Sequence, residues 1–268
     1  MWRITNTYTL TTSSGYQATV GWDPEAGPNF LGYLSNITSS TDFRLSSMER
    51  AQQDGLITGN TYLAGRSVAI DLKIIDSDPV VRGARLREIG VLAAKARVED
   101  VAIDWVEDDG SARRVIGRLA ANPALQHEDQ SPVKSVQLSF LCPDPHIQSG
   151  GVFQQEHAAG VSFDVDHIGN STATPIIKIY GGGTSFLLQW ETFNTEINTT
   201  LAAGEYITLD SFNRTITKSN GLPLFSALST SSDFPILPAN SATTMQLTVT
   251  GSSGTPKVRV EHRAKWLF

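Results

Sequence analysis

With 268 residues, 40% of them apolar and 18% charged, the chain is long enough for two domains and can bury one or two ordinary cores. A net charge of −6, spread over both halves, excludes a polycation that grips phosphate backbones regardless of sequence. The single cysteine excludes an internal disulfide, and no apolar run approaches the roughly 18 residues that span a bilayer.

The opening MWRITNTYTL has no basic region followed by an apolar one, so the expectation is a chain made in a cytoplasm. TNTYTLTTSSGYQATVGW predicts two short strands joined at Ser13–Gly15. A long irregular arm follows, at about 23–65, rich in Gly, Pro, Asn and Ser, with a short helical turn at LSSMERAQQ. The arm also carries Phe30, Tyr33, Phe43, Met48, Tyr62 and Leu63. A disordered segment is normally poorer in such residues, and a structureless loop of this length is usually functional. The arm therefore reads as a segment that needs a partner surface.

From Ser67 the pattern sharpens. SVAIDLKII alternates Val68, Ile70, Leu72 and Ile74 with polar or small residues, which predicts a half-buried strand. DSDP opens a helix at about 79–96, with Ser77 or Asp78 as cap and Pro79 where a missing N–H costs nothing. Leu86, Ile89 and Leu92/Ala93 form its apolar stripe, and the arginines off it read as a solvated face. VAIDW and RRVIGRLA form a hairpin around Asp109–Gly110. VQLSFLCPDP ends this half: Val136, Leu138 and Phe140 alternate inward, then Pro143 and Pro145 stop the strand. The expectation is a domain over 1–148, a β barrel or sandwich with one packed helix, and a seam at Cys142, Pro143, Asp144 and Pro145.

Beyond it, over 149–268, charges thin out and Thr, Ser, Asn and Gly rise. Strands are predicted at VSFDVDH, TPIIKIY, SFLLQW, EYITLD, RTITKS, TMQLTVT and KVRVEHR, with turn signals between them. Such spacing predicts an antiparallel β-sandwich, so the fold class is mainly β with two domains.

Chemistry is hard to find. Cys142 has His146 four residues on, but two prolines intervene and no helix aligns the pair, so the thiol reads as buried and structural. The five histidines show no metal spacing. YGGGTS lacks the Lys-Ser/Thr ending of a phosphate loop and reads as a turn between strands. Asp164 and Asp166 share one strand face, a pattern an exposed face explains as well as a glycosidase does. No catalytic residue, metal or cofactor is assigned, and the chain reads as a structural or binding protein rather than an enzyme.

Several segments taken in order resemble a known family: GRSVAIDLKII…DPVVRGARLREIGVLAA, RRVIGRLA, VQLSFLCPDP, PIIKIYGGGT, LAAGEYITLDSFNRTIT, FPILPANS and the closing VRVEHRAKWLF. The set resembles the distal tail protein (Dit) of long, non-contractile-tailed bacteriophages, in particular the version carried by phages of actinobacteria. It covers the chain from about Gly65 to its end, while 23–65 matches only in length and character.

The resemblance implies a virion protein at the distal end of the tail, made in the host cytoplasm. Six copies would form a homo-hexameric ring joining the tail tube protein to the baseplate hub, or tail-associated protein, and its fibres, with the tape measure protein a further neighbour. DNA would pass through the ring with no specific nucleic-acid binding. The second domain would be similar to galectins or carbohydrate-binding modules; in some members of the family the final strand, here about 257–268 with Trp266 and Phe268 as anchors, returns to the first domain. The six apolar residues of the arm then become inter-subunit contacts.

The rival reading is a tail-tip carbohydrate-binding module that grips host cell-wall glycan through an exposed aromatic platform, with Trp190 and Tyr206 as candidates. A buried Trp190 favours the scaffold.

Overall fold

The computed structural model describes residues 7–21, 34–49, 56–75, 78–107, 109–126 and 133–267. The chain is mainly β and divides into two compact units, Met1–Gly150 and Gly151–Phe268.

The first unit holds β1 (Tyr8–Thr12), β2 (Gln17–Val20), β3 (Leu34–Glu49), β4 (Leu56–Ile75), α1 (Pro79–Ala96), β5 (Val101–Val106), β6 (Ala112–Leu119), β7 (Ala124–Gln126), β8 (Val133–Cys142) and β9 (Ile147–Ser149). Its strands follow the path β2-β1-β5-β6-β8-β4-β3, every neighbouring pair antiparallel, with β7 beside β8 and β9 beside β6. Alternation does the sorting. Leu10, Val68, Ile70, Leu72, Ile103, Leu138 and Phe140 all point to one buried face. The helix closes that face with Ile89, Leu92, Ala93 and Ala96, and Leu86 packs at the margin. Asp78 is its cap: the Val80 N–H donates to the Asp78 carboxylate at 2.8 Å, with Pro79 in the first turn.

The arm is not irregular where it is described. Leu34–Glu49 and Leu56–Gly65 are strand, and the stretch read as a helical turn continues β3 through Glu49. The predicted strand from Ser67 is the inner half of β4, which begins at Leu56. β3 is rich in Ser, Thr and Asn and lacks the apolar alternation that marks a half-buried strand, so local pattern gave no signal. Its order comes from pairing with β4, from Leu34↔Lys73 to Glu49↔Leu56.

The second unit is a sandwich of two antiparallel sheets. One runs β10 (Phe153–Ala158), β18 (Ser253–His262), β12 (Ile176–Gly182), β15 (Tyr206–Asp210), β16 (Thr215–Lys218). The other runs β11 (Ser162–His167), β17 (Ser241–Thr250), β13 (Ser185–Trp190), β14 (Phe193–Ile197). Ile177, Ile179, Ile207, Val258 and Val260 from the first sheet meet Val165, Phe186, Leu188, Met245 and Leu247 from the second in one core. Lys257–His262, the opening of the predicted final strand, lies in β18 between β10 and β12 of the same unit.

Gly181 and Gly182 belong to β12 rather than to a turn. Gly181 has φ of 102° beside a register shift, and a Cβ there would lie 2.6 Å from Pro256 Cα. Close backbone approach, not phosphate binding, accounts for the glycine.

Candidate functional site

Two features of the first unit stand out. The first is the β3–β4 ribbon. β8 pairs with β4 only from Arg66↔Cys142 to Ile75↔Val133. Beyond Arg66, among the described residues, Leu56–Gly65 pairs with β3 alone. A two-stranded ribbon some 30 Å long is marginal by itself in water. Two register shifts, at Thr41/Phe43 and Leu45/Ser47, add local twist.

The ribbon gathers four of the six predicted arm residues. Phe43 is the register partner of Leu63, Tyr62 faces Arg44, and Met48 faces Ile57. Phe30 and Tyr33 lie outside the described residues.

The second feature is the seam. Cys142 ends β8 fully buried, and burial pushes its thiol up to about 11, with Asp144 acting in the same direction and Arg66 against it. Such a thiol is not a nucleophile at neutral pH. Its setting is tight: a Cβ on Gly117 would lie 2.7 Å from Cys142 Sγ, and one on Gly65 would lie 2.8 Å from the Cys142 carbonyl oxygen. Arg66, itself buried, donates from Nε to the Pro145 carbonyl at 2.7 Å.

Asp144 organises the exit. One carboxylate oxygen accepts the His146 N–H at 3.1 Å and meets His146 Nδ1 at 2.7 Å; the other accepts from Gln148 at 3.0 Å. His146 is thus held by Asp144, not by Cys142. The prolines stop the strand, and Asp144 and Arg66 fix where the chain goes next.

The two aromatics of the rival sugar platform, Trp190 and Tyr206, are placed differently. Trp190 is 2% exposed and packs in the second core, because its strand position alternates inward with Phe186 and Leu188. Tyr206 is on the outward face, half-buried, with Tyr180 beside it at 5.4 Å between ring centroids. Lys257 and Arg259 lie over the Tyr180 ring and are tied to Glu156. Asp164 and Asp166 are exposed on one strand, and Asp164 accepts a hydrogen bond from the Thr244 hydroxyl at 2.7 Å. Among the described residues no group of three or more His, Cys, Asp or Glu is placed to hold a metal ion.

No protein-family profile matches the sequence, and no curated protein matches it. Solved structures do. The Dit (gp 19.1) protein of phage SPP1, described as a paradigm of the hub adsorption apparatus in phages that infect Gram-positive bacteria, is similar at a TM-score of 0.70 and 17% identity, over 96% of this chain and 98% of that one. A chain of the phage P2 baseplate in its activated conformation with Ca is similar at a TM-score of 0.51 and 9% identity, over 99% and 100%. A chain of the same baseplate with Sr gives 0.50 and 10%, over 98% and 99%. At these identities the likeness is one of fold, and it takes in both units. The chain has a Dit-like fold over nearly its whole length.

Proposed function

We propose that this chain is a structural protein of a phage tail tip, and that six copies close into a ring joining the tail tube to the baseplate hub and its fibres. The observation that carries this reading is the likeness to SPP1 Dit, at a TM-score of 0.70 over almost all of both chains. A partial match would have left one unit open to another role. The ribbon supports it from within the molecule, since an extension that among the described residues pairs with no third strand would gain stability from a neighbouring copy.

Charge supports the channel. Arg114 is held by Asp104 through two hydrogen bonds, of 2.6 and 2.9 Å, and Arg118 by Asp100 at 2.6 Å. With a net charge of −6 over the whole chain, arginines so matched do not add up to a phosphate-collecting surface, which suits a protein past which DNA must slide. The tail tube protein above and the hub, tape measure and fibre proteins below are the partners of this reading.

Light scattering over a concentration range tests it. Six copies of a 29.0 kDa chain weigh about 174 kDa, and a closed ring stops growing there. A chain that stays at 29.0 kDa at every concentration ends the ring, and one that fails to label the tail tip when tagged in assembled virions ends the tail-tip reading.

A further inference from the structure

The outer side of α1 carries an apolar line that its own unit leaves uncovered. Val80 is 72% exposed, Val91 46%, and Val98, just past the helix end, 72%. Val80, Ala84, Arg87, Val91, Ala94 and Val98 alternate steps of four and three, the spacing of a single helix face. On a helix with no partner that face should be polar, and β-branched valines there cost helix propensity without gaining burial. Arg87 on the line and Arg97 near it are exposed, and the first turn has no acidic residue. The line is therefore apolar with a cationic margin.

The same unit carries the opposite chemistry elsewhere. At the end of β5, Val106 is 54% exposed, with Glu107 and Asp109 exposed beside it. Strand directions separate the two places. β4 leads into α1 and α1 leads into β5; by register Val101 is level with Gly117, Cys142 and Arg66, so α1 runs back along the sheet from the end of β4 to the start of β5. The Val106–Asp109 tip lies about 17 Å further along β5.

We infer that the valine line of α1 in one copy docks on the acidic β5–β6 tip of the next copy. The inference rests on the ring reading above, and it names the surfaces that meet. A ring requires this kind of contact, one face against a different face, so that each copy has one of each to offer. An 18-residue helix is about 27 Å long. One face of it buries a few hundred Å², less than the roughly 800 Å² per partner of a standard interface. It is accordingly one part of a contact whose remainder the β3–β4 ribbon supplies.

The test is the solution mass of the full chain by light scattering, beside that of two variants. Val91→Glu/Val98→Glu sets carboxylates against carboxylates on exposed positions, where folding is not at stake; a thermal midpoint equal to that of the unchanged chain verifies this. Glu107→Lys sets a cation against the arginine margin. The expected result is that the unchanged chain assembles and both variants fall to 29.0 kDa at the same concentration. If the unchanged chain assembles and either variant assembles equally well, the docking is wrong and the ring reading stands. If the unchanged chain is itself a monomer at every concentration, the ring reading fails and the docking fails with it.

Discussion

His167 on β11 and His262 on β18 meet edge to face, with ring centroids 5.8 Å apart, so each sheet of the sandwich contributes one buried imidazole to the same spot. Phe153 stacks on His262 at 5.3 Å. His167 Nε2 pairs with the Ser171 carbonyl, but His167 Nδ1 and His262 Nε2 are buried without a hydrogen-bond partner among the described residues. Burial, reinforced by His167, lowers the pKa of His262 from 6.5 to about 4.

That arrangement makes the second unit acid-sensitive. The unfolded chain takes up the His262 proton near pH 6.5, the folded chain only near 4. The stability this group contributes is therefore complete above pH 6.5 and is lost as pH falls through 6.5 towards 4. The difference corresponds to roughly 3 kcal/mol. Urea unfolding of the unchanged chain at pH 7.5 and pH 4, compared with His262→Gln, isolates it. The unchanged chain should lose about 3 kcal/mol more than the variant over that interval. Equal losses in the two proteins would show that the pair is not the cause.

Glycines in the first unit should split into two kinds. At Gly117 a Cβ would come within 2.7 Å of Cys142 Sγ and 2.8 Å of the Leu141 carbonyl oxygen, and backbone on that side cannot yield. Gly117→Ala should destabilise the protein by about 2 kcal/mol or more, as overpacking does. Gly83, inside α1, has nothing within 4 Å of the same atom. Gly83→Ala should stabilise by about 1 kcal/mol through helix propensity alone. Thermal melts of the two variants check the signs; a stable Gly117→Ala would mean that β6 and β8 are not packed as tightly as the distances require.

What could be read beforehand follows where the forces are local. The Asp78–Pro79 start of α1 and its Ile89–Leu92 stripe were legible because cap, proline and period sit within a few residues of one another. The alternation of Val68–Ile74 and Val136–Phe140 was legible because each strand has one buried face. β10 and β14 were not expected. Both are rim strands of their sheets; β10 is exposed or half-buried throughout, so FQQEHA shows no alternation to find.

The ribbon was illegible for a deeper reason: its hydrogen bonds join residues such as Leu34 and Lys73, and no window of sequence contains both. For the sites, the strand position of Trp190 already favours core packing over a sugar platform, and its inward phase with Phe186 and Leu188 agrees. The outer valines of α1 are legible in the sequence, at helical spacing among the arginines.

The seam offers the sharpest chemical check. Cys142 is buried, with its thiol pushed up to about 11, so at pH 8 almost none of it is thiolate and none of it is accessible. A chromogenic disulfide reagent should leave the native protein unlabelled over hours and should titrate one thiol per chain at once in denaturing urea. Cys142→Ser tests the packing side of the same claim. Its hydroxyl would sit in a core that evolved around sulfur, at a cost of about 1–3 kcal/mol if it finds no partner, while Cys142→Ala should cost less than the serine variant. Rapid labelling of the folded chain would instead place the thiol at a surface and turn the end of β8 from a packed seam into a reactive one.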